Sequence, residues 1–220
     1  MDAPEALRRL LAAARAKSAD AAAQLHPHWR RAGLRKLGLA DAHDDSGAEP
    51  RWSAPLAALY GLGWPAIDRF ERPAHRVALL PRAELARVLA AVALDAERAR
   101  VRLCIGHALR NAMIDRVGEP AYASMLESRP LQGARLTALT LAELEPERLA
   151  AAGAARLVAA GWRSERLLKW VRLALAPAAA PVPAPAREAG FLERLPTYFP
   201  EHAWLFGSSM DRALSASTTA

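Results

Sequence analysis

From Arg82 to Val117 the apolar residues recur three or four positions apart: Leu85, Val88, Leu89 and Val92, then Val101, Ile105, Ala108, Leu109 and Val117. That spacing lines one face of an α-helix and does not suit a strand, whose side chains alternate with a period of two. The charged stretch from Asp95 to Arg100 predicts a bend between two helices or one long exposed turn, and Gly118 with Pro120 predicts the end of the helical run. Upstream, Leu7, Leu10 and Leu11 behind Pro4 predict an amphipathic helix to about residue 24, which Pro27 interrupts before a short helix resumes over Trp29 to Leu37. Downstream, Ala121 to Glu127 adds a helical turn or two. Pro146 opens a helix running to Ala160 and stopped by Gly161, and Ser164 is the N-cap of another reaching Leu175. The last two are expected to pair as an antiparallel hairpin.

An all-α fold follows, a multi-helix domain of irregular layout. Aromatic residues are only 6% of the 220, and much of the apolar content is alanine and leucine, which favours helix over strand. Residues 51–81 are the exception, because Trp52, Tyr60, Trp64 and Phe70 are interleaved with Pro55, Gly61, Gly63, Pro65 and Pro73. Elements there should be short, with a brief strand over His75 to Leu80 as the one β piece expected. The polar run from Asp41 to Pro50 reads as a loop, as does Pro130 to Gly133. The predicted organisation is a helical domain over 1–175, an alanine- and proline-rich linker over 176–187, an aromatic segment over 188–207 that packs back on the domain, and a flexible tail over 208–220.

The charge balance is +7, from 30 basic and 23 acidic residues, and only Lys17, Lys36 and Lys169 are lysines. An excess this moderate, without a dense basic tail, argues weakly for nucleic acid, although Arg30, Arg31, Arg35 and Lys36, or the basic residues over 163–172, would meet the phosphates if the chain were a helical nucleic-acid-binding protein. Cys104 is the single cysteine, so an intrachain disulfide or a cysteine-rich zinc module is excluded and a reducing compartment is the natural home. With no secretory pattern and no apolar run of about 20 residues, a cytoplasmic location is expected, any membrane association being indirect.

Chemistry-bearing constellations are sparse. His26 and His28 stand at i, i+2 without His-Glu-x-x-His or Cys-x-x-Cys spacing to support a metal site. Cys104 and His107 could be read as nucleophile and base, but lie in the most apolar helical run, where a buried thiol is the default. Nucleophile-elbow, phosphate-loop and dinucleotide signatures are missing, so neither a cofactor nor a catalytic residue is assigned; an enzyme would need a polar pocket, for instance near His107 and Asp115. Two surfaces suit partners instead. Arg163, Arg166, Lys169 and Arg172 recur every third residue opposite Leu167, Leu168, Val171 and Leu175, which makes either a solvated helix face or a dock for an acidic partner. The C-terminal segment gathers Phe191, Leu195, Tyr198, Phe199, Trp204 and Phe206, which either seal a core or anchor a partner; Tyr198, Trp204 and Phe206 are the anchor candidates.

Three sequence features carry a resemblance: Leu25-His26-Pro27-His28-Trp29 after the first helix, Leu79-Leu80-Pro81 opening the central helices, and the run from Leu195 through Pro196-Thr197-Tyr198-Phe199-Pro200-Glu201-His202-Ala203-Trp204 to Leu205-Phe206-Gly207. With these the chain resembles the SctK/YscK family of type III secretion accessory proteins, Hrp-type members in particular, across most of its length. The linker at 177–185 has no counterpart in that pattern. The resemblance implies a non-enzymatic cytoplasmic component of the secretion sorting platform. Its implied partners are the SctQ-type pod protein and the cytoplasmic domain of the SctD-type inner-membrane ring protein, with no nucleic acid.

Overall fold

The computed structural model describes residues 3–39, 50–65, 70, 72–127, 137–160, 162, 164–177, 190–207 and 210. The described residues are all-α, with helices and short 3-10 turns and no strand among them. The chain divides into two compact units, the first made of Met1–Leu85, Trp162–Ala178 and Gly207–Ala220, the second of Ala86–Gly161 and Ala179–Phe206. The expected loop from Asp41 to Pro50 lies outside the described residues except for Pro50, which begins a 3-10 turn, and that over 130–133 lies outside them, as do most of the linker and of the tail.

The first unit opens with α1 (Ala3–Ala19), α2 (Ala21–Gln24) and α3 (Pro27–Lys36). Ala6, Leu10, Ala14 and Lys17 fall four, four and three residues apart and are all buried, so α1 turns one continuous stripe inward. Pro27 does not so much break the helix as start the next one. It occupies the first turn of α3, where a missing N–H costs nothing, and His26 caps that turn by accepting the His28 N–H on Nδ1 at 3.2 Å.

A 3-10 turn (Pro50–Trp52) leads into α4 (Ser53–Leu59), whose first residue is buried with its Oγ accepting the Ala22 N–H at 3.1 Å. That contact satisfies a donor in the first turn of α2 that has no intrahelical partner. Leu25, Leu34, Leu56 and Leu173 close together as one apolar cluster, with Trp29, Trp52 and Tyr60 around it.

The strand expected over His75 to Leu80 is instead helical: α5 (Pro73–Arg76) passes directly into a 3-10 turn (Val77–Leu79). Pro73 again sits in a first helical turn, and residues 74–80 are buried without alternation, a pattern that periodicity cannot assign to either structure.

The second unit holds most of α6 (Arg82–Ala96), then α7 (Arg98–Val101), α8 (His107–Val117), α9 (Glu119–Glu127), α10 (Pro146–Ala159), α12 (Gly190–Tyr198) and α13 (Ala203–Phe206). The bend expected between Asp95 and Arg100 is present at Glu97. Gly118 ends α8 with φ of 86°, in the left-handed region that glycine enters without strain, and its N–H closes on the Ile114 carbonyl at 2.7 Å. Pro120 is not a stop, because it lies in the first turn of α9.

Small residues let α10 approach α6 closely: a Cβ on Gly153 would come within 1.9 Å of the Leu89 carbonyl oxygen. α11 (Glu165–Ala174), expected to pair with α10 as a hairpin, falls in the first unit, whereas α10 falls in the second.

Candidate partner interface

α11 belongs to the first unit and separates its two faces sharply. Leu167, Leu168, Trp170, Val171, Leu173 and Ala174 are buried, while Arg166, Lys169 and Arg172 are exposed. Glu165 in the first turn and Arg172 in the last complement the helix dipole, and these two side chains approach to 3.8 Å. Both are mostly exposed, so that pair is weak and leaves the basic face open to other carboxylates. Arg163, the fourth member of the basic series, lies outside the described residues.

The far end of α11 is held by the motif around Pro27. The last carbonyls of a helix lack intrahelical donors. Here the Leu173 carbonyl accepts the His26 N–H at 2.8 Å, the Leu175 carbonyl accepts Trp29 Nε1–H at 2.9 Å, and the Ala174 carbonyl accepts Arg82 Nε–H at 3.2 Å. The Tyr60 hydroxyl donates to the Trp29 carbonyl, which ties α4 into the same junction. On the inner face of α11, the Trp170 indole lies flat against Trp64, with ring centres 4.9 Å apart and an angle of 11°. Trp64 is itself fixed by donating Nε1–H to Ser18 Oγ at 2.6 Å.

Beneath that stack is an unexpected group. Lys17 is 4% exposed, donates to the Leu80 carbonyl, and holds its ammonium 5.7 Å from the Trp170 ring centre. Burial lowers its pKa to about 7. The sequence does carry a signal for it, since Lys17 occupies a position on the apolar stripe of α1.

The C-terminal candidates divide between interior and surface. Tyr198 is fully buried in the second unit, its hydroxyl donating to Asp95 Oδ1 at 2.6 Å, while Arg194 Nη2 donates to Asp95 Oδ2 at 2.7 Å. Burial first, and then the bond to Asp95, push the Tyr198 phenol up to about 12. Asp95 is 2% exposed and sits three residues beyond Val92 on the inward stripe of α6, so both carboxylate oxygens are occupied by residues of α12. Phe206 is buried, and Trp204 is half-buried.

Of the other constellations, Cys104 and the His26/His28 pair make structural contacts. Cys104 is buried, its Sγ donating to the Arg100 carbonyl and accepting the Leu139 N–H, both at 3.3 Å, while His107 is exposed at the start of α8. His28 meets the Trp29 ring edge-on at 5.1 Å. No helix among the described residues is long and apolar enough to cross a membrane.

Compared with known proteins, residues 3–201 match the family described as bacterial type III secretion protein (HrpB4). No curated protein and no solved structure matches the chain.

Proposed function

Because the chain belongs to the HrpB4 family of bacterial type III secretion proteins, we propose that it serves that apparatus as an adaptor rather than as a catalyst. In this reading it joins the cytoplasmic domain of the SctD-type inner-membrane ring protein to the SctQ-type pod of the sorting platform. It stands at the cytoplasmic face of the inner membrane and reaches the bilayer only through its partners.

The observation that carries the reading is α11. Its apolar face is buried and its carbonyl end is held by three separate donors, so Arg166, Lys169 and Arg172 are presented from a rigid helix rather than from a loop. Exposed charges on a fixed element steer an acidic partner and add little to folding stability, as a docking face requires. Half-buried Trp204 is the one aromatic anchor candidate left with surface to offer; Tyr198 and Phe206 are committed to the interior.

The test is co-purification from a secretion-competent bacterium of the wild-type chain and of Arg166→Glu/Arg172→Glu. The reversed chain is expected to melt like the wild type and to lose the pod or ring protein in a salt-sensitive manner. Equal recovery of both partners by the two chains would remove α11 as the interface, and recovery of neither by the wild type would remove the adaptor reading.

A further inference from the structure

The first unit also carries a groove of about 300 Å³ on α1, walled by Leu10, Leu11, Ala14 and Arg15 on one side and by Trp64 and Phe70 on the other. That volume lies at the lower end of the roughly 300–1,000 Å³ typical of small-molecule pockets, and suits a few apolar side chains.

The groove is rigid on its aromatic side. Trp64 is held by Ser18 and by its stack on Trp170, and its ring lies 6.1 Å from that of Phe70. The floor is apolar, and Leu11 is 44% exposed at its edge. Arg15 stands exposed on the rim, and among the described residues no carboxylate is bonded to it and none lines the groove.

These features narrow the occupant. Anything that covers the groove also takes the Arg15 guanidinium out of water, and an unpaired buried charge is costly. A second copy of the chain is a poor occupant, because an isologous contact sets α1 against α1, and that helix exposes Arg8, Arg9 and Arg15 against the single acid Glu5. An apolar ridge flanked by carboxylates satisfies both the floor and the rim, which is how an amphipathic helix is read by a groove.

We propose that the α1 groove docks an acidic, amphipathic helical segment of a partner protein, whose apolar residues enter between Leu11 and Trp64 while a carboxylate meets Arg15. The proposal rests on the adaptor reading and gives it a second contact, distinct from the exposed face of α11.

The experiment places a photoreactive benzophenone residue at position 11 of the full chain in the secreting bacterium and maps the joined peptide by mass spectrometry, with and without Arg15→Glu. The expected product joins position 11 to a segment of another protein with apolar residues three or four apart and Asp or Glu between them, and Arg15→Glu reduces its yield about tenfold while the melting temperature is unchanged. A joined peptide from a second copy, no product at all, or a yield indifferent to Arg15→Glu overturns the proposal. So does binding to phosphatidylglycerol vesicles that Leu11→Asp abolishes, which would assign the groove to a membrane surface. If position 11 gives no product while the wild type still recovers pod and ring proteins, the groove reading falls and the adaptor reading stands. An acidic segment from a protein outside the secretion apparatus would do the reverse.

Discussion

Replacing Lys17 by methionine should change how stability depends on pH. The lysine is almost fully buried, its ammonium bonded to one backbone carbonyl and facing the Trp170 ring, and burial alone brings its pKa from 10.5 to about 7. The folded pKa therefore lies below the unfolded one. Below pH 7 both states hold the proton, and the folded state carries the full cost of burying the charge. From about pH 7 to 10.5 the unfolded chain binds more protons than the folded one, so the Lys17 contribution to stability rises with pH by about 1.4 kcal/mol per pH unit and levels off above that range. Across the interval this amounts to ~5 kcal/mol. Methionine fills the space with an unbranched apolar chain, removes the titration, and leaves the Leu80 carbonyl without its donor at a cost of about 1–3 kcal/mol. The two stability curves should then cross, Lys17→Met being the more stable protein at pH 6 and the less stable at pH 10. Urea unfolding of both chains at fixed ionic strength from pH 6 to 10 measures the difference, in which every other titrating group cancels. A difference that stays constant to within about 0.5 kcal/mol across that range would refute the argument, because it would mean the ammonium reaches water in the folded state.

Two further substitutions probe the second unit. Gly153→Ala places a methyl 1.9 Å from the Leu89 carbonyl oxygen, a backbone atom that cannot rotate away, so α10 must shift from α6; a loss of about 1–3 kcal/mol or more is expected, seen as a lower melting temperature, and unchanged melting would show that the helices separate freely. Tyr198→Phe removes a hydroxyl donated to the buried Asp95 carboxylate and should cost about 1.5–3 kcal/mol by urea unfolding, while a neutral result would mean that Arg194, with Arg98 4.0 Å from Oδ1, satisfies Asp95 without it.

Helices are legible in the sequence where a repeating face is also buried, and α11 shows why: the spacing of Leu167, Leu168 and Val171, with basic residues between them, fixes both the element and its exposed side. Across Val101 to Leu109 the same spacing misleads, because the chain leaves the helix after Val101 and Ile105 is 93% exposed. Proline is more ambiguous. Pro27, Pro73 and Pro120 all stand in first helical turns, where the missing N–H is harmless, so a residue that reads as a breaker marks a beginning. The run Ala74 to Leu80 resembles a strand because burial on all sides erases periodicity. Lys17 and Asp95 are visible in principle as polar residues on apolar stripes, yet their partners, Leu80 with Trp170 and Arg194 with Tyr198, come from distant segments that no local spacing connects. The α1 groove is hidden for the same reason, since its walls join residues 10–15 to Trp64 and Phe70. For the motif Leu25-His26-Pro27-His28-Trp29 the structure supplies a physical role, the capping of α11, that resemblance alone could not.

That capping also has a consequence for synthesis. The first unit draws α1 to α5 from the beginning of the chain and α11 from beyond residue 161, with the second unit's residues 86–161 emerging in between. At roughly 5–20 residues per second, the ribosome takes about 4–15 s to cross that interval. Throughout it Trp29 lacks the carbonyl it will bond, Trp64 lacks the ring it will stack on, and Leu25, Leu34 and Leu56 lack Leu173 to complete their cluster. The nascent chain thus carries an open apolar face for seconds, a window in which a chaperone, or a neighbouring chain on the same message, competes with its own α11.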